Sequence, residues 1–326
     1  MLNYVEIIKN TAAYKMIELD TQSSRLSHAY FFVSKDNSYL KCFLEEACKL
    51  FINLNESVNA EKNCIRIEKR VHPDVKFFGE DKQISAAVAN EIVDLANYSP
   101  FEADKKIFVL WDVSGMNEAS QNKILKTIEE PPRDTYFFLA SNGITRILPT
   151  ILSRVKMIEL DELKTETISN LLQAAGVEKN KAEICASCSN GNAEFAENLA
   201  TNEGFVDFFN QIVSCYFDIN GSRDVLKYST YFNSKNIDKY EFFDIATLVA
   251  RDLALILAKK PEMVVCKNAI NKLKVISGML NLSAVTTLIE ECVKCKEKLH
   301  FNVNGTAVID GFLFKLAEVK VKCRRL

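Results

Sequence analysis

The first place where this sequence could bind a phosphate is a buried-strand pattern followed by a polar loop and an amphipathic helix. It reads HAYFFVSKDNSYLKCF over residues 28–43. A phosphate-binding loop here would be rich in glycine and end in Gly-Lys followed by Ser or Thr, because backbone amides must approach the phosphates closely. The loop is instead SKDNS (34–38), the first glycine of the chain is Gly79, and no Gly-Lys pair occurs anywhere. Lys35 could meet a phosphate, but the loop that would cradle it is missing.

Two of the cysteine pairs have the spacing of metal ligands. Cys185/Cys188 and Cys292/Cys295 both lie within helical patterns that lack the turn-forming glycines of a zinc knuckle, and only the second pair has a histidine nearby, His300. A shared zinc site is therefore the less favoured interpretation. We expect the ten cysteines to be reduced, and most of them to serve as small buried hydrophobic residues.

The composition is that of an ordinary globular protein, with 48% hydrophobic and 26% charged residues and six prolines in 326 residues. This length predicts two or three domains. The net charge of −2 argues against coating of nucleic acid through bulk electrostatics, although a local basic surface remains open. Apolar runs fall short of the roughly 18 residues that span a bilayer, and the start MLNYVEIIKN does not resemble a signal peptide. We expect a cytoplasmic protein that does not contact a membrane.

Short apolar runs alternate with helical patterns over the first half of the chain. The predicted strands are Ala29–Val33, Val75–Phe78, Ile107–Trp111, Tyr136–Ala140 and Lys156–Leu160. Amphipathic helices are predicted in ISAAVANEIVDLANYS and in NEASQNKILKTIEE, and the second of these is stopped by Pro131-Pro132. Continuous apolar strands that alternate with helices predict an α/β domain with a parallel sheet covered on both faces.

The strand patterns stop after Leu160, and three domains are predicted. Residues 1–160 form the α/β domain, 161–203 a small helical unit with a helix over Glu166–Ala175, and 204–326 an all-helical domain. The last domain contains KYEFFDIATLVARDLALILAKK and LSAVTTLIEECVKCKEKL. Helices with such wide apolar faces pack into a bundle or against a partner.

The most specific text lies in residues 105–154, in NKILKTIEEPP and ILPTILSR. Together with RLSHAYFF (Arg25–Phe32) and HPD (His72–Asp74), in this order and spacing, these motifs resemble the bacterial DNA polymerase III clamp-loader subunits, which belong to the AAA+ superfamily. The resemblance is strong over residues 20–160 and weaker at SNGNAEFAENL, and NVNGTAVIDGFLFKL is similar to the closing helix of the family's collar domain. It implies a RecA-like parallel sheet covered by helices, then a small helical lid domain and an all-α collar domain.

The family includes members that hydrolyse ATP and members that do not. In the ATPases the third strand ends in an Asp that holds Mg²⁺ and a Glu that activates water, and the matching residues here are Trp111 and Asp112. An indole cannot ligate magnesium, and Asp112 is either a metal ligand or, as we favour, a solvated residue at a strand end. The lid arginine that reaches the γ-phosphate in active members is matched by Glu194. With the glycine-rich loop also missing, the resemblance implies that this chain neither hydrolyses ATP nor uses a cofactor.

Arg154 matches a functional residue of the family's motif. Ser153-Arg154 occupies the family's Ser-Arg-Cys position, with Val155 in place of the cysteine, a change that affects packing more than charge. In the family this arginine projects into the ATP site of the neighbouring subunit, where a permanently charged planar guanidinium can stabilise charge on the γ-phosphate. The resemblance thus implies an arginine finger acting in trans. The alternative is a surface arginine at the start of a strand.

The family's zinc module is incomplete in this chain. Between the first helix and HPD the family usually carries four cysteines, whereas this segment holds only Cys48 and Cys64. Two thiolates cannot complete a tetrahedral site, and His72, which could be a third ligand, lies in a motif that the family uses in packing. We predict no bound metal.

Contacts with DNA are only weakly indicated. Lys123 and Lys126 lie on the helix whose family counterpart faces the central DNA chamber, and the basic tail KVKCRR (320–325) could reach a phosphate backbone. For both features solvated surface charge is the favoured interpretation.

These observations predict a non-catalytic clamp-loader subunit within a hetero-pentamer. It would assemble with the ATPase subunits and the clamp-opening subunit, and would meet the sliding clamp and primer-template DNA through the complex. One alternative is an ATP-hydrolysing clamp-loader or AAA+ subunit with an atypical nucleotide site. Another is an AAA+-derived regulatory protein that acts outside the clamp loader.

Overall fold

The computed structural model describes residues 2–23, 26–53, 59–234, 238–301 and 303–324. The strands are β1 Ala29–Val33, β2 Val75–Phe78, β3 Lys106–Leu110, β4 Thr135–Ser141 and β5 Lys156–Glu159. The helices are α1 Val5–Asn10, α2 Ala12–Gln22, α3 Asn37–Ile52, α4 Ala60–Glu68, α5 Ala86–Ala96, α6 Glu118–Glu129, α7 Pro149–Leu152, α8 Thr165–Ala174, α9 Lys179–Cys188, α10 Ala193–Thr201, α11 Phe205–Asp218, α12 Ser222–Ser234, α13 Lys239–Leu257, α14 Ile270–Ser277, α15 Leu282–His300 and α16 Gly305–Arg324. Arg25 of the RLSHAYFF motif and Arg325 of the basic tail lie outside the described residues.

The chain divides into two compact units. The first comprises the chain up to Leu163 together with Asn192–Glu194, and the second comprises Lys164–Gly191 and Phe195 onward. The predicted division into a lid of residues 161–203 and a collar of 204–326 stays a prediction.

The first unit is built on a five-stranded sheet in the order β2-β3-β4-β1-β5. Every pairing is parallel, and β1 lies between β4 and β5. All five predicted strands are confirmed, with shifts of a residue at some ends, so that β3 ends at Leu110 and Trp111 follows it. In a parallel sheet all strands end at the same edge, so the loops that follow β1 and β3 lie along one edge of this sheet.

The apolar residues of β1 are buried on both faces of the sheet. Ala29 and Phe31 belong to a core cluster with residues of α5, α6 and α7. On the other face Tyr30 and Phe32 pack against aromatic rings that include Phe51 of α3 and Phe138 of β4. A strand covered on both faces reads as a continuous apolar run, which is why the sequence predicted it so closely.

The second unit is helical throughout its described part. Within it α8 packs against α9, and α13, α15 and α16 pack against one another around Phe242, Phe243 and Phe312. Lys320 of the basic tail is 1% exposed, and its Nζ donates to the carbonyl oxygens of Tyr216 and Phe217 at the end of α11. The idea that all four basic residues of the tail could reach DNA is therefore wrong for Lys320. No described helix combines the length and the apolar character needed to cross a bilayer.

Candidate functional site

The loop after β1 begins the site that would hold a nucleotide. Asp36 is the N-cap of α3, is 4% exposed, and accepts a hydrogen bond from the backbone N–H of Tyr39 at 2.9 Å. The N–H of Asp36 in turn donates to Ser34 Oγ at 3.2 Å. A helix N-terminus attracts negative charge because its first N–H groups point outward and the helix dipole is positive there. In this chain a carboxylate from the loop itself supplies that charge.

A second carboxylate reaches the same helix end from Glu194. Its Oε2 accepts from the backbone N–H of Asn37, the first residue of α3, at 3.1 Å. Asp36 returns the interaction, since its Oδ2 accepts from the N–H groups of Ala193 at 2.6 Å and Glu194 at 3.2 Å. The side-chain amide of Asn192 completes the contact by donating to the Lys35 carbonyl at 3.0 Å. Two side-chain carboxylates thus occupy the first turn of α3, where a phosphate-binding loop would place a phosphate.

Lys35, the lysine that could have met a phosphate, is engaged elsewhere. Its Nζ lies 2.9 Å from Glu162 Oε1, and both side chains are mostly exposed. The hydrogen bond and the charge of Glu162 raise the pKa of Lys35 above its usual value. The lysine is therefore a surface ion-pair partner.

Trp111, which the resemblance matches to a magnesium ligand, directly follows β3 and is half-buried. Asp112 is exposed, adopts the left-handed backbone conformation with φ 49°, and accepts from Ser114 Oγ at 2.8 Å. Opposite this turn Gly79 has φ +90°, and a Cβ there would lie 2.4 Å from the Trp111 carbonyl oxygen, so only glycine fits. No hydrogen bond or ion pair joins Trp111 or Asp112 to the loop 34–38 among the described residues.

Arg154 lies just after α7, at the end of the sheet where the strands begin. The loops that follow β1 and β3 lie at the other end, where the strands finish. Because Tyr30 pairs with Lys156 in the parallel β1–β5 register, Arg154 is level with the start of β1, whereas the loop 34–38 follows its end. About six residues of strand separate the two levels, which corresponds to roughly 20 Å at 3.3 Å per residue. Arg154 therefore lies far from the loop 34–38.

The Arg154 side chain is ordered by three contacts. Its Nε lies 2.6 Å from Glu129 Oε1, and its Nη1 donates to the Thr150 carbonyl at 3.0 Å and to Ser153 Oγ at 3.1 Å. The side chain is nevertheless 39% exposed. Val155 is partly buried and packs against the core cluster.

The two predicted DNA-contacting lysines lie on the exposed face of α6. Lys123 donates to Asn90 Oδ1 at 2.8 Å and approaches the Ala86 carbonyl at 3.4 Å, both on or beside α5. Lys126 is exposed one turn later. Contact with DNA stays a prediction for both residues.

The metal-ligating candidates are dispersed. Cys48 is buried in α3, Cys64 lies half-buried beside the Asn53 amide, and His72 is buried with Nδ1 accepting from the Asp74 N–H. Within the ranges that the structure covers, no three His, Cys, Asp or Glu side chains are grouped to hold a metal ion.

Sequence reasoning missed three residues of this region: Asp36, Glu129 and Gln121. Gln121 is 1% exposed and joins the start of α6 to the loop after β4, donating to the Met116 and Arg146 carbonyls and accepting from the Leu148 N–H. Only Asp36 carried a sequence signal, since Asp directly before a helical pattern favours an N-cap.

The chain is similar to a known protein family and to several curated proteins, of which three are described. The profile of a family described as "DNA polymerase III, delta subunit" matches residues 9–164. The DNA polymerase III subunit delta' of Bacillus subtilis is 24% identical over 314 residues, covering 93% of this chain and 95% of that protein. The subunit delta' of Escherichia coli is 28% identical over 99 residues, covering 29% of this chain and 30% of that protein. The subunit gamma of Buchnera aphidicola (subsp. Acyrthosiphon pisum) is 33% identical over 110 residues, covering 34% and 30%.

Proposed function

We propose a function for this chain from its similarity to the bacterial DNA polymerase III delta' subunits, which the motifs predicted. The chain also has the expected α/β AAA+ fold with a helical C-terminal region. In this proposal the chain is a non-hydrolysing subunit of a clamp loader. It contributes Arg154 to the ATP site of a neighbouring ATPase subunit while the complex loads a sliding clamp onto primed DNA.

The carboxylates at the start of α3 carry the non-hydrolysing part of the proposal. Asp36 and Glu194 fill the position of the phosphate with negative charge, so a nucleotide would have to displace them and would meet neither a glycine loop nor a magnesium ligand. A nucleotide phosphate at this position would be repelled by both carboxylates, because like charges in contact repel strongly in a partly buried site. This arrangement supports an empty nucleotide site in the working subunit.

The position of Arg154 supports its action in trans. A side chain at the opposite edge of the sheet, roughly 20 Å from the loop 34–38, cannot serve the chain's own site. An arginine finger typically accelerates phosphoryl transfer by about 10³-fold or more. Loss of Arg154 would therefore nearly silence one ATP site of the complex and leave the others active.

The test is reconstitution of the clamp loader with its ATPase and clamp-opening subunits, using wild type, Arg154→Ala and the control Arg133→Ala. Arg133 is an arginine of the same unit that is 95% exposed. We expect all three complexes to assemble, and only Arg154→Ala to reduce DNA-stimulated ATP hydrolysis and clamp loading. An unchanged ATPase rate for Arg154→Ala would refute the trans role, and micromolar, Mg²⁺-dependent binding of an ATP analogue to the isolated chain would refute the empty site.

A further inference from the structure

The guanidinium of Arg154 is held on one side and open on the other. Glu129 Oε1 forms an ion pair with the guanidinium, 2.6 Å from Nε, and the Thr150 carbonyl and Ser153 Oγ both accept hydrogen bonds from Nη1. The described residues supply no partner for Nη2. The N–H groups of Nη2 are therefore the donors that a phosphate oxygen would meet.

We propose that Glu129 is a positioning residue for Arg154: its carboxylate fixes the guanidinium through Nε so that the Nη2 edge faces outward for a neighbour's phosphate. This inference rests on the proposed function of Arg154. It gives a functional role to Glu129, the first of the two glutamates in the IEEPP segment (128–132).

Both ends of the Glu129–Arg154 pair are carried by backbone that is anchored in the same core. Glu129 is the last residue of α6, directly after the fully buried Ile128, and Pro131-Pro132 prevent the helix from continuing. The Arg154 N–H donates to the carbonyl of Ile151, which is fully buried in the same cluster as Ile128. The carboxylate and the guanidinium therefore start from fixed positions, and only their side-chain rotamers need ordering.

A carboxylate beside an arginine finger has two opposing effects. It restricts an otherwise mobile side chain, so less conformational freedom is lost when the phosphate is bound. It also offsets part of the positive charge that the phosphate would feel. Because both side chains are more than one third exposed, water screens the charge effect, whereas the geometric restriction persists. Orientation is the larger effect, and removal of Glu129 should slow the neighbour's ATP hydrolysis.

The experiment compares Glu129→Ala, Glu129→Gln, Glu130→Ala and Arg154→Ala, and the Glu129→Ala/Arg154→Ala double variant, in the reconstituted clamp loader. Glu130 is the matched control, being the adjacent exposed glutamate, and no ion pair of Glu130 occurs among the described residues. Single-turnover ATP hydrolysis resolves the affected site as a slow phase, and its dependence on ATP concentration separates kcat from KM.

We expect Glu129→Ala to lower the rate of that phase about three- to thirty-fold at nearly unchanged KM, since loss of rotamer order weakens transition-state stabilisation. Glu129→Gln keeps the length of the side chain but removes its charge, and should lower the rate less than Glu129→Ala, whereas Glu130→Ala should retain the full rate. The double variant should match Arg154→Ala, because Glu129 acts only through the arginine.

The outcomes separate this inference from the function on which it rests. A normal rate for Arg154→Ala would overturn the proposed function. A slow Arg154→Ala together with a normal or faster Glu129→Ala would overturn only the positioning role. A double variant slower than Arg154→Ala would overturn it as well, because Glu129 would then act through another group.

Discussion

Removal of the Asp36 carboxylate tests directly whether side-chain charge has replaced the phosphate at the start of α3. The Asp36→Ala variant leaves three backbone N–H groups without their acceptor, those of Tyr39, Ala193 and Glu194. Tyr39 and Ala193 are buried, at 2% and 0% exposure, so water cannot readily replace the carboxylate there. A buried donor without an acceptor carries its full desolvation penalty.

The expected loss follows from these bonds. Removing an aspartate N-cap costs about 0.5–2 kcal/mol of folding free energy. The buried N–H of Ala193 adds about 1–3 kcal/mol, while the half-buried Glu194 N–H can reach solvent and adds little. The free energy of unfolding of the first unit should therefore fall by about 1.5–5 kcal/mol.

The assay uses urea unfolding followed by tryptophan fluorescence. Trp111 is the single tryptophan of the chain and lies in the first unit, so its signal reports on that unit alone. Asn117→Ala is the control: Asn117 is an exposed N-cap in the same unit whose one side-chain bond goes to the Ser120 N–H. We expect the control to lose about 1 kcal/mol. If Asp36→Ala loses no more than Asn117→Ala, the bonds to residues 193 and 194 contribute nothing and the reasoning fails.

Two further predictions concern charged groups outside the site. Arg70 donates to Glu80 at 2.8 and 2.9 Å, and although burial raises the pKa of Glu80, the hydrogen bonds and charge of Arg70 lower it overall. The stabilisation is thus present above the ordinary pKa of 4.5 and is lost as the pH falls below it. Urea unfolding should therefore show a larger difference in unfolding free energy between wild type and Arg70→Gln at about pH 7 than at about pH 3. Equal differences at the two pH values would contradict this. In the second unit, Lys320→Ala removes the buried donor to carbonyls at the end of α11 and should lower the unfolding free energy, followed by circular dichroism, by about 2–4 kcal/mol. The control Lys322→Ala changes an exposed lysine and should lower it by less than about 0.5 kcal/mol. Similar losses of unfolding free energy in the two variants would contradict the buried role of Lys320.

The strands and α6 of the first unit were predictable because each carries a local signal. The strands read as apolar runs, and α6 ends just before the Pro131-Pro132 pair, which prevents its continuation. Asp74 of the HPD motif is fixed by hydrogen bonds from the Phe101, Glu102 and Ala103 N–H groups, which the motif alone did not indicate. Local periodicity and helix-stop signals thus predict helices and strands. They do not predict loops whose conformation depends on hydrogen bonds to carboxylates elsewhere in the chain.

The contacts that define the candidate site join residues far apart in the chain. Glu194 was predicted only as a residue of the wrong sign for a phosphate, yet it bonds to Asn37, 157 residues away. The pairing of Arg154 with Glu129 spans α6, β4 and α7. No sequence periodicity reports such pairs, because each member looks like an ordinary surface charge until the sheet brings it to its partner.

The reciprocal bonds of Asp36 and Glu194 also bear on why a subunit without its own nucleotide would keep this fold. In a nucleotide-binding site the N-terminal N–H groups of the helix after β1 bind the phosphate, so the ligand adds stability that depends logarithmically on its concentration. Here the acceptors belong to the chain and are present at all times. The geometry around β1 is then independent of ATP, and β1 is the strand whose register with β5 fixes the level of Arg154. In the proposed role this constancy is useful, since an arginine offered to a neighbour's phosphate must keep its position while that neighbour binds and hydrolyses ATP.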